Sequence, residues 1–418
     1  MKRFILCLFA LAVTGQFAFA AERKPNVILI MADDFGYECV GCNGGGYKTP
    51  NLDALAAGGV RFTHAYATPL CTPSRTQIMT GRYNFRNYVR FGEFDFKERT
   101  FAHVLKGTGY ATFIAGKWQL AGGLKGPNEA GFDEYCLWQI YSADKGSRYD
   151  NPKIHANGKL LSGLEKKYGP DVFREHVEEF IGRHKEKPFF VYWPMVLTHA
   201  PFEPTPDSKP GKKAGNACFP DMVEYLDKNV GKLIAHLDKL GLRDNTLILF
   251  TGDNGTGKPI TSKLDGKDVK GDKGNTTTLG THTPLIASWP GVAAKGKVCN
   301  DLVDFTDVLP TLAAVGGGEL PKGVTIDGRS FLPQIKGEKG SPREWIFCHY
   351  EPRHGKNDRE VRYAQDQRYK LYQDKRMFDL QNDPLEKNAL PITDARDPAR
   401  EKLGAVLDKF EKESPFGK

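Results

Sequence analysis

The segment Cys71-Thr72-Pro73-Ser74-Arg75 sets a thiol four residues before a guanidinium and runs through Thr76-Gln77-Ile78-Met79-Thr80 to Gly81-Arg82. Thr72 suits a helix cap, Pro73 the first helical position and Gly81 the stop, so Cys71 is expected just before a helix N-terminus. That location favours a reactive or anion-facing group. Asp33-Asp34 and Asp253-Asn254-Gly255 supply three carboxylates and an amide oxygen, a hard-oxygen set suited to Ca²⁺ and less readily to Mg²⁺. Either pair by itself also reads as turn or cap chemistry. Lys117 in Gly116-Lys117-Trp118, His199 in Thr198-His199-Ala200-Pro201 and Lys273 add two cations and a titratable ring, the groups that hold an anion and move a proton.

These residues share a setting. The runs Asn26 to Ala32, Tyr110 to Ala115, Phe189 to Leu197 and Thr246 to Thr251 are apolar and strand-like, and each ends in a polar cluster. Helical spacing appears between them, over Asn51 to Ala57, Asp171 to His184 and Asp221 to Leu240. Strands alternating with helices predict an α/β chain with a mainly parallel sheet flanked by helices. Ligands of such sheets bind at the carboxyl ends of the strands, so the four clusters are expected on one edge. The stretch from Gly255 to Gly274, carrying Lys258, Lys263, Lys267 and Lys270, reads as a functional loop or local disorder, and a similar reading fits Gly122 to Gly158. Beyond about Gly337, short strands at Trp345 to Tyr350, Arg362 to Ala364 and Tyr369 to Tyr372 precede a helix from Asp397 to Phe410, a smaller C-terminal α+β domain.

Lys2 and Arg3 precede an apolar run from Phe4 to Phe19, and Ala18-Phe19-Ala20 offers a small-residue cleavage site. Residues 1–20 therefore read as a signal peptide cut near Ala20, which predicts a secreted or periplasmic protein without stable membrane insertion. Without Lys2 and Arg3, 57 basic residues face 51 acidic ones, a mild excess of 6 that suits an anionic ligand. No basic stripe with interleaved aromatics points to nucleic acid. Seven cysteines follow the leader, including Cys39 and Cys42 in C-x-x-C; their spacing fixes no pairing.

Cys71-x-Pro73-Ser74-Arg75 followed by Thr80-Gly81-Arg82 resembles the signature of the type I sulfatases, and the likeness extends from Pro25-Asn26 to Asp379-Leu380 and Asn382-Asp383-Pro384. It implies an alkaline-phosphatase-like fold, with a catalytic domain over 21–336 and a small sheet-and-helix domain over 337–418. It also implies that a maturation enzyme oxidises Cys71 to formylglycine. One hydroxyl of the hydrated aldehyde attacks sulfur and expels the alcohol; loss of the other's proton then expels sulfate. By the same resemblance, Asp33, Asp34, Asp253 and Asn254 hold a calcium ion that also contacts the modified Cys71, while Lys117 and Lys273 bind sulfate. His199 protonates the leaving group, and Arg75 steadies nucleophile and carboxylates by bidentate pairing.

One position departs from that pattern. Gln119 stands where Gly-Lys-Trp-His is usual, and an amide cannot take the proton that releases sulfate. His282 or a metal-polarised hydroxyl is then the candidate base; slow turnover or a different substrate are the other readings. The expected function is hydrolysis of a sulfate ester, in a sulfated small molecule or glycan. The alternatives are a phosphonate monoester or phosphodiester hydrolase of the same superfamily, and a sulfated-glycan-binding protein with little turnover.

Overall fold

Asn26–Ala32 is seven consecutive buried residues, six of them apolar, and a strand with no polar face must be covered on both sides. In the computed structural model, which describes residues 23–141, 143, 146–352, 360–391 and 398–414, it lies inside a ten-stranded sheet. In chain order the strands are β1 (Asn26–Ala32), β2 (Val60–Tyr66), β3 (Ala111–Lys117), β4 (Glu134–Trp138), β5 (Ile154–Ala156), β6 (Lys159–Leu160), β7 (Phe189–Pro194) and β8 (Thr246–Gly252). A separate antiparallel hairpin, β9 (Thr261–Leu264) and β10 (Lys267–Lys270), precedes β11 (His282–Ser288) and β12 (Lys297–Asp304), which return to the main sheet. The spatial order is β12-β2-β11-β8-β1-β7-β3-β4-β5-β6.

β8, β1, β7, β3 and β4 are successively parallel, so their carboxyl ends share one edge. β11 is antiparallel to both β8 and β2, which makes β2 run with β8 and brings the chain towards Cys71 on that same edge. The two-residue side-chain period divides the core. Ile28 and Ile30 join Val172, Phe180, Met222 and Leu233 of the helices Gly169–Arg183 and Phe219–Lys239 on one face. Val27 and Leu29 join Phe101, Leu105, Leu309 and Leu312 on the other.

The mainly parallel sheet flanked by helices agrees with the sequence reading, and β1 has the expected bounds. Two segments differ. The 255–274 stretch contains the β9–β10 hairpin, turned by Asp265-Gly266 with both residues at positive φ, 49° and 78°. This is the two-residue Asp-Gly turn whose twist suits a hairpin, a signal present in the sequence. The 122–158 stretch contains β4 and β5. The expected leader and its cleavage site lie outside the described residues. Among the described residues, no helix is long and apolar enough to cross a membrane.

The C-terminal part is a four-stranded antiparallel sheet in sequential order, β13 (Ile346–Tyr350), β14 (Val361–Gln365), β15 (Tyr369–Tyr372) and β16 (Met377–Asp379). The helix Pro398–Glu413 covers it through Leu403, Val406, Leu407 and Phe410, and Tyr83 of the larger part enters the same core.

Gly116 sits at φ 118°, and a Cβ there would lie 2.0 Å from the Pro194 carbonyl oxygen of β7. Only glycine lets β3 pass so close and still deliver Lys117. Gly116→Ala is expected to cost more than about 2 kcal/mol in denaturant unfolding, because strain and overlap act together. An unchanged unfolding midpoint would show that β3 and β7 separate freely.

Candidate active site

The loops beyond β1, β7 and β8 are stitched by continued backbone pairing. Asp33 N donates to Leu197 O at 2.8 Å, Thr198 N to Asp33 O at 2.7 Å, Asp253 N to Ala32 O at 2.9 Å and Phe35 N to Asn254 O at 3.2 Å. Asp34 adopts a left-handed φ of 59°, which aspartate tolerates better than most residues, and its amide donates to Asp253 Oδ1 at 2.9 Å. Asp33, Asp34 and Asp253 are thus forced together with almost no solvent access.

Cations answer them. Lys117 Nζ, itself buried, donates to both oxygens of Asp33 at 2.8 and 2.9 Å. Lys273 Nζ lies 2.6 Å from Asp34 Oδ1 and 2.8 Å from Oδ2. Burial would raise the Asp33 pKa, but the charges of Lys117, His199, Lys273 and Arg148 hold its carboxyl well below the usual range. Asp253 goes the other way, pushed up by burial and by the negative charge of Asp33. Burial would lower Lys273, yet Asp34 first, then Cys71, Asp33 and Asp253, raise it above an ordinary lysine. Burial pushes His199 down to about 4, so its ring is neutral near pH 7. Its Nδ1 donates to Ala200 O at 2.6 Å and its Nε2 lies 3.8 Å from Asp34 Oδ2.

Asn254 turns its amide nitrogen to Asp34 Oδ1 at 2.9 Å, while its Oδ1 is buried without a hydrogen-bond partner. A buried orphan oxygen is costly unless a cation takes it. Asp33, Asp34 and His199 also offer ligand atoms within 4.8 Å of one another. Oxygen donors dominate, so the residues present fit a hard divalent ion.

Cys71 is buried at the start of the helix Cys71–Thr80, in electrostatic range of Lys273 and Asp253. The helix begins two residues earlier than expected and Thr72 does not cap it; its hydroxyl accepts from Gly92 N at 3.2 Å. Ser74 Oγ accepts from Thr68 N at 3.1 Å and fixes the entering turn, leaving Pro73 in the first turn, where a missing N–H is harmless. Gly81 ends the helix at φ 68°, as expected.

Arg75 departs from the expected carboxylate pairing. Its guanidinium donates to the carbonyls of Lys117 at 3.3 Å, Trp118, and Gln119 at 3.3 Å. The chain leaves β3 through Gln119 at a left-handed φ of 47°, and those buried carbonyls need donors. A planar fork meets them.

His282, the candidate base, is sandwiched between Tyr37 and Tyr66, with ring centroids 4.1 and 4.9 Å away. Its Nε2 donates to Thr63 O at 2.9 Å, and burial pushes its pKa down to about 3. Its described contacts are structural and give no support for a base acting at Cys71.

Arg148 was not anticipated, because its segment has little periodicity. Its NH1 lies 3.3 Å from Asp33 Oδ2, and its guanidinium stacks 3.8 Å from the centre of the Trp138 ring. The seven cysteines among the described residues are free thiols, so Cys39 and Cys42 form no disulfide.

Residues 25–318 match the family Sulfatase, and residues 272–413 match the family N-sulphoglucosamine sulphohydrolase, C-terminal. The chain belongs to the sulfatase family. It is a sulfuric ester hydrolase of the alkaline-phosphatase superfamily. Human arylsulfatase A is 35% identical over 370 residues, covering 78% of this chain and 71% of its own. N-acetylgalactosamine-6-sulfatase of Mus musculus is 31% identical, covering 79% and 70%. Among solved structures, Ps i-CgsB in complex with k-i-k-neocarrahexaose superposes with a TM-score of 0.79 at 27% identity, covering 93% of both chains.

In this sulfatase the C-terminal sheet holds the segment that follows Lys273. Lys370 and Glu386, with side chains 0% and 2% exposed, pair at 3.0 Å. Glu386 Oε1 accepts from Thr278 N at 2.7 Å, its Oε2 accepts from the Tyr372 hydroxyl at 2.6 Å, and Lys370 Nζ donates to Thr276 O. Removing one partner leaves a buried charge, so Glu386→Leu is expected to lose about 3–5 kcal/mol in denaturant unfolding. Lys370→Met combined with Glu386→Leu should recover much of that loss. Equal stability of the single and double variants would rule out the pair as a clamp.

Proposed function

We propose that this sulfatase cleaves the sulfate ester of a sulfated carbohydrate, using Cys71 after its conversion to formylglycine and a calcium ion held by Asp33, Asp34, Asp253 and Asn254. The observation that carries the reading is the orphaned Asn254 Oδ1 among buried carboxylates within electrostatic range of Cys71. Lys117, Lys273 and Arg148 balance Asp33, Asp34 and Asp253 in formal charge, so a divalent cation would leave the cluster with an excess of about +2, suited to an anionic ester. When bound, the ion would act as a Lewis acid on the ester's sulfate oxygens.

The chain's own residues divide the remaining work. Cys71, at the positive end of its helix, presents the attacking oxygen once modified. Lys117 and Lys273 hold the non-bridging sulfate oxygens as charge shifts onto them. His199 gives a proton to the departing alkoxide, and the negative charge of the bound ester offsets the burial that keeps its ring neutral in the free enzyme. Arg75 fixes the backbone from Lys117 to Gln119 and thereby the direction of Lys117. The proposal extends to residues 1–20 as a leader removed on export, to the divisions at 21–336 and 337–418, and to a maturation enzyme as partner. The carbohydrate substrate draws support from the sugar bound to the related Ps i-CgsB.

Peptide mass spectrometry of active enzyme should find the aldehyde at residue 71; full activity with the thiol intact would sink the reading. Lys117→Ala and Lys273→Ala should each lower kcat on an aryl sulfate by about 10²–10³-fold. Chelation should abolish turnover, and Ca²⁺ should restore it better than Mg²⁺. Parallel assays with an aryl phosphonate should favour the sulfate; a strong preference for the phosphonate would replace the sulfate reading by its rival.

A further inference from the structure

We infer that the cleft beside the loop carrying Lys273 is a subsite for a second anionic group of an extended, multiply sulfated glycan. This deepens the functional reading above and rests on it. The cleft, about 480 Å³, is lined by Lys258, Lys270 and Lys387, with Val269, Leu279 and Leu385 among its apolar residues. All three lysines are exposed, and none has a carboxylate partner among the described residues. Of the two aspartates lining the cleft, Asp268 pairs with Lys263 at 2.6 Å, whereas Asp272 keeps its charge in the wall, where it accepts from Asn275 Nδ2 at 2.5 Å and from the Thr277 hydroxyl. Three unpaired lysines against the one carboxylate of Asp272 leave a partly apolar depression with a positive excess, which fits a sulfated sugar whose C–H face lies on aliphatic side chains while its anion meets ammonium groups.

Placement makes the cleft part of one binding path. Asn275 and Thr277 line it, and Lys258 Nζ donates to Asn275 Oδ1 at 3.3 Å. Asn275 is two residues after Lys273, whose ammonium reaches Asp34, so at most about 7 Å of backbone separates the cleft wall from that lysine. The β9–β10 hairpin supplies Lys270, and the segment carrying Glu386 supplies Lys387, so the segment that clamps Thr278 also builds this wall. A glycan with its reacting sulfate at Lys117 and Lys273 can place a neighbouring sulfate here.

The test replaces Lys258, Lys270 and Lys387 together by glutamine in the full chain. In a Cys71→Ala background, calorimetry with a sulfated dextran oligosaccharide should show affinity about tenfold weaker than with the three lysines present, and a shallower salt dependence. Uncharged dextran is the control. In the active enzyme, kcat/KM for 4-methylumbelliferyl sulfate should stay within about twofold, because that substrate is too short to reach the cleft. Unchanged oligosaccharide affinity, or equal loss on the small sulfate, would overturn the subsite. If the unsubstituted enzyme cleaves no sulfate ester, the functional reading fails, while calorimetry still decides whether the cleft holds the polyanion.

Discussion

Three carboxylates buried at the ends of two neighbouring strands repel one another, and much of the surrounding structure makes that arrangement tolerable. Asp33 and Asp34 follow β1, Asp253 follows β8, and continuous pairing between these strands leaves none of the three free to withdraw. Lysines are therefore drawn in, Lys117 from the end of β3 and Lys273 from the loop beyond the hairpin. Charges kept this dry interact more strongly than on a surface, so moving one of them changes the potential felt at Cys71. The three acids, their cations and Cys71 form one electrostatic unit, assembled by a sheet whose register cannot slip.

Much of this unit was legible in the sequence because strand ends announce themselves. Apolar runs that stop at Asp33, Lys117, Thr198 and Asp253 state which residues meet wherever the strands are parallel, and five parallel strands do bring them to one edge. Arg148 was invisible for the opposite reason: its segment is aperiodic, and its place is set by Trp138 and Asp33, tertiary contacts without a local signal. Arg75 was identified as a site residue but given the wrong partners. A sequence displays carboxylates as letters and hides the backbone carbonyls that a positive φ at Gln119 leaves needing donors. The setting of His282 is hidden in the same way, since the two aromatic rings that enclose it come from Tyr37 and Tyr66, far away in the chain.

The replacement at Gln119 acquires a structural meaning alongside its chemical one. Its backbone is fixed on both sides, by Arg75 at the carbonyl and by Gln139 at the amide. Lys117 near it is held by its own contacts with Asp33 and not by the Gln119 side chain.

The buried pair of Lys370 with Glu386 links the latest part of the described sheet to the turn after Lys273. Ribosomes release the chain from its amino end, so Asp33, Cys71, Lys117 and Asp253 all emerge well before Glu386. Until that glutamate arrives, the turn lacks the acceptor for its Thr278 amide and hydroxyl. The turn beside the acids therefore takes its final hydrogen bonds from a glutamate more than a hundred residues further along the chain.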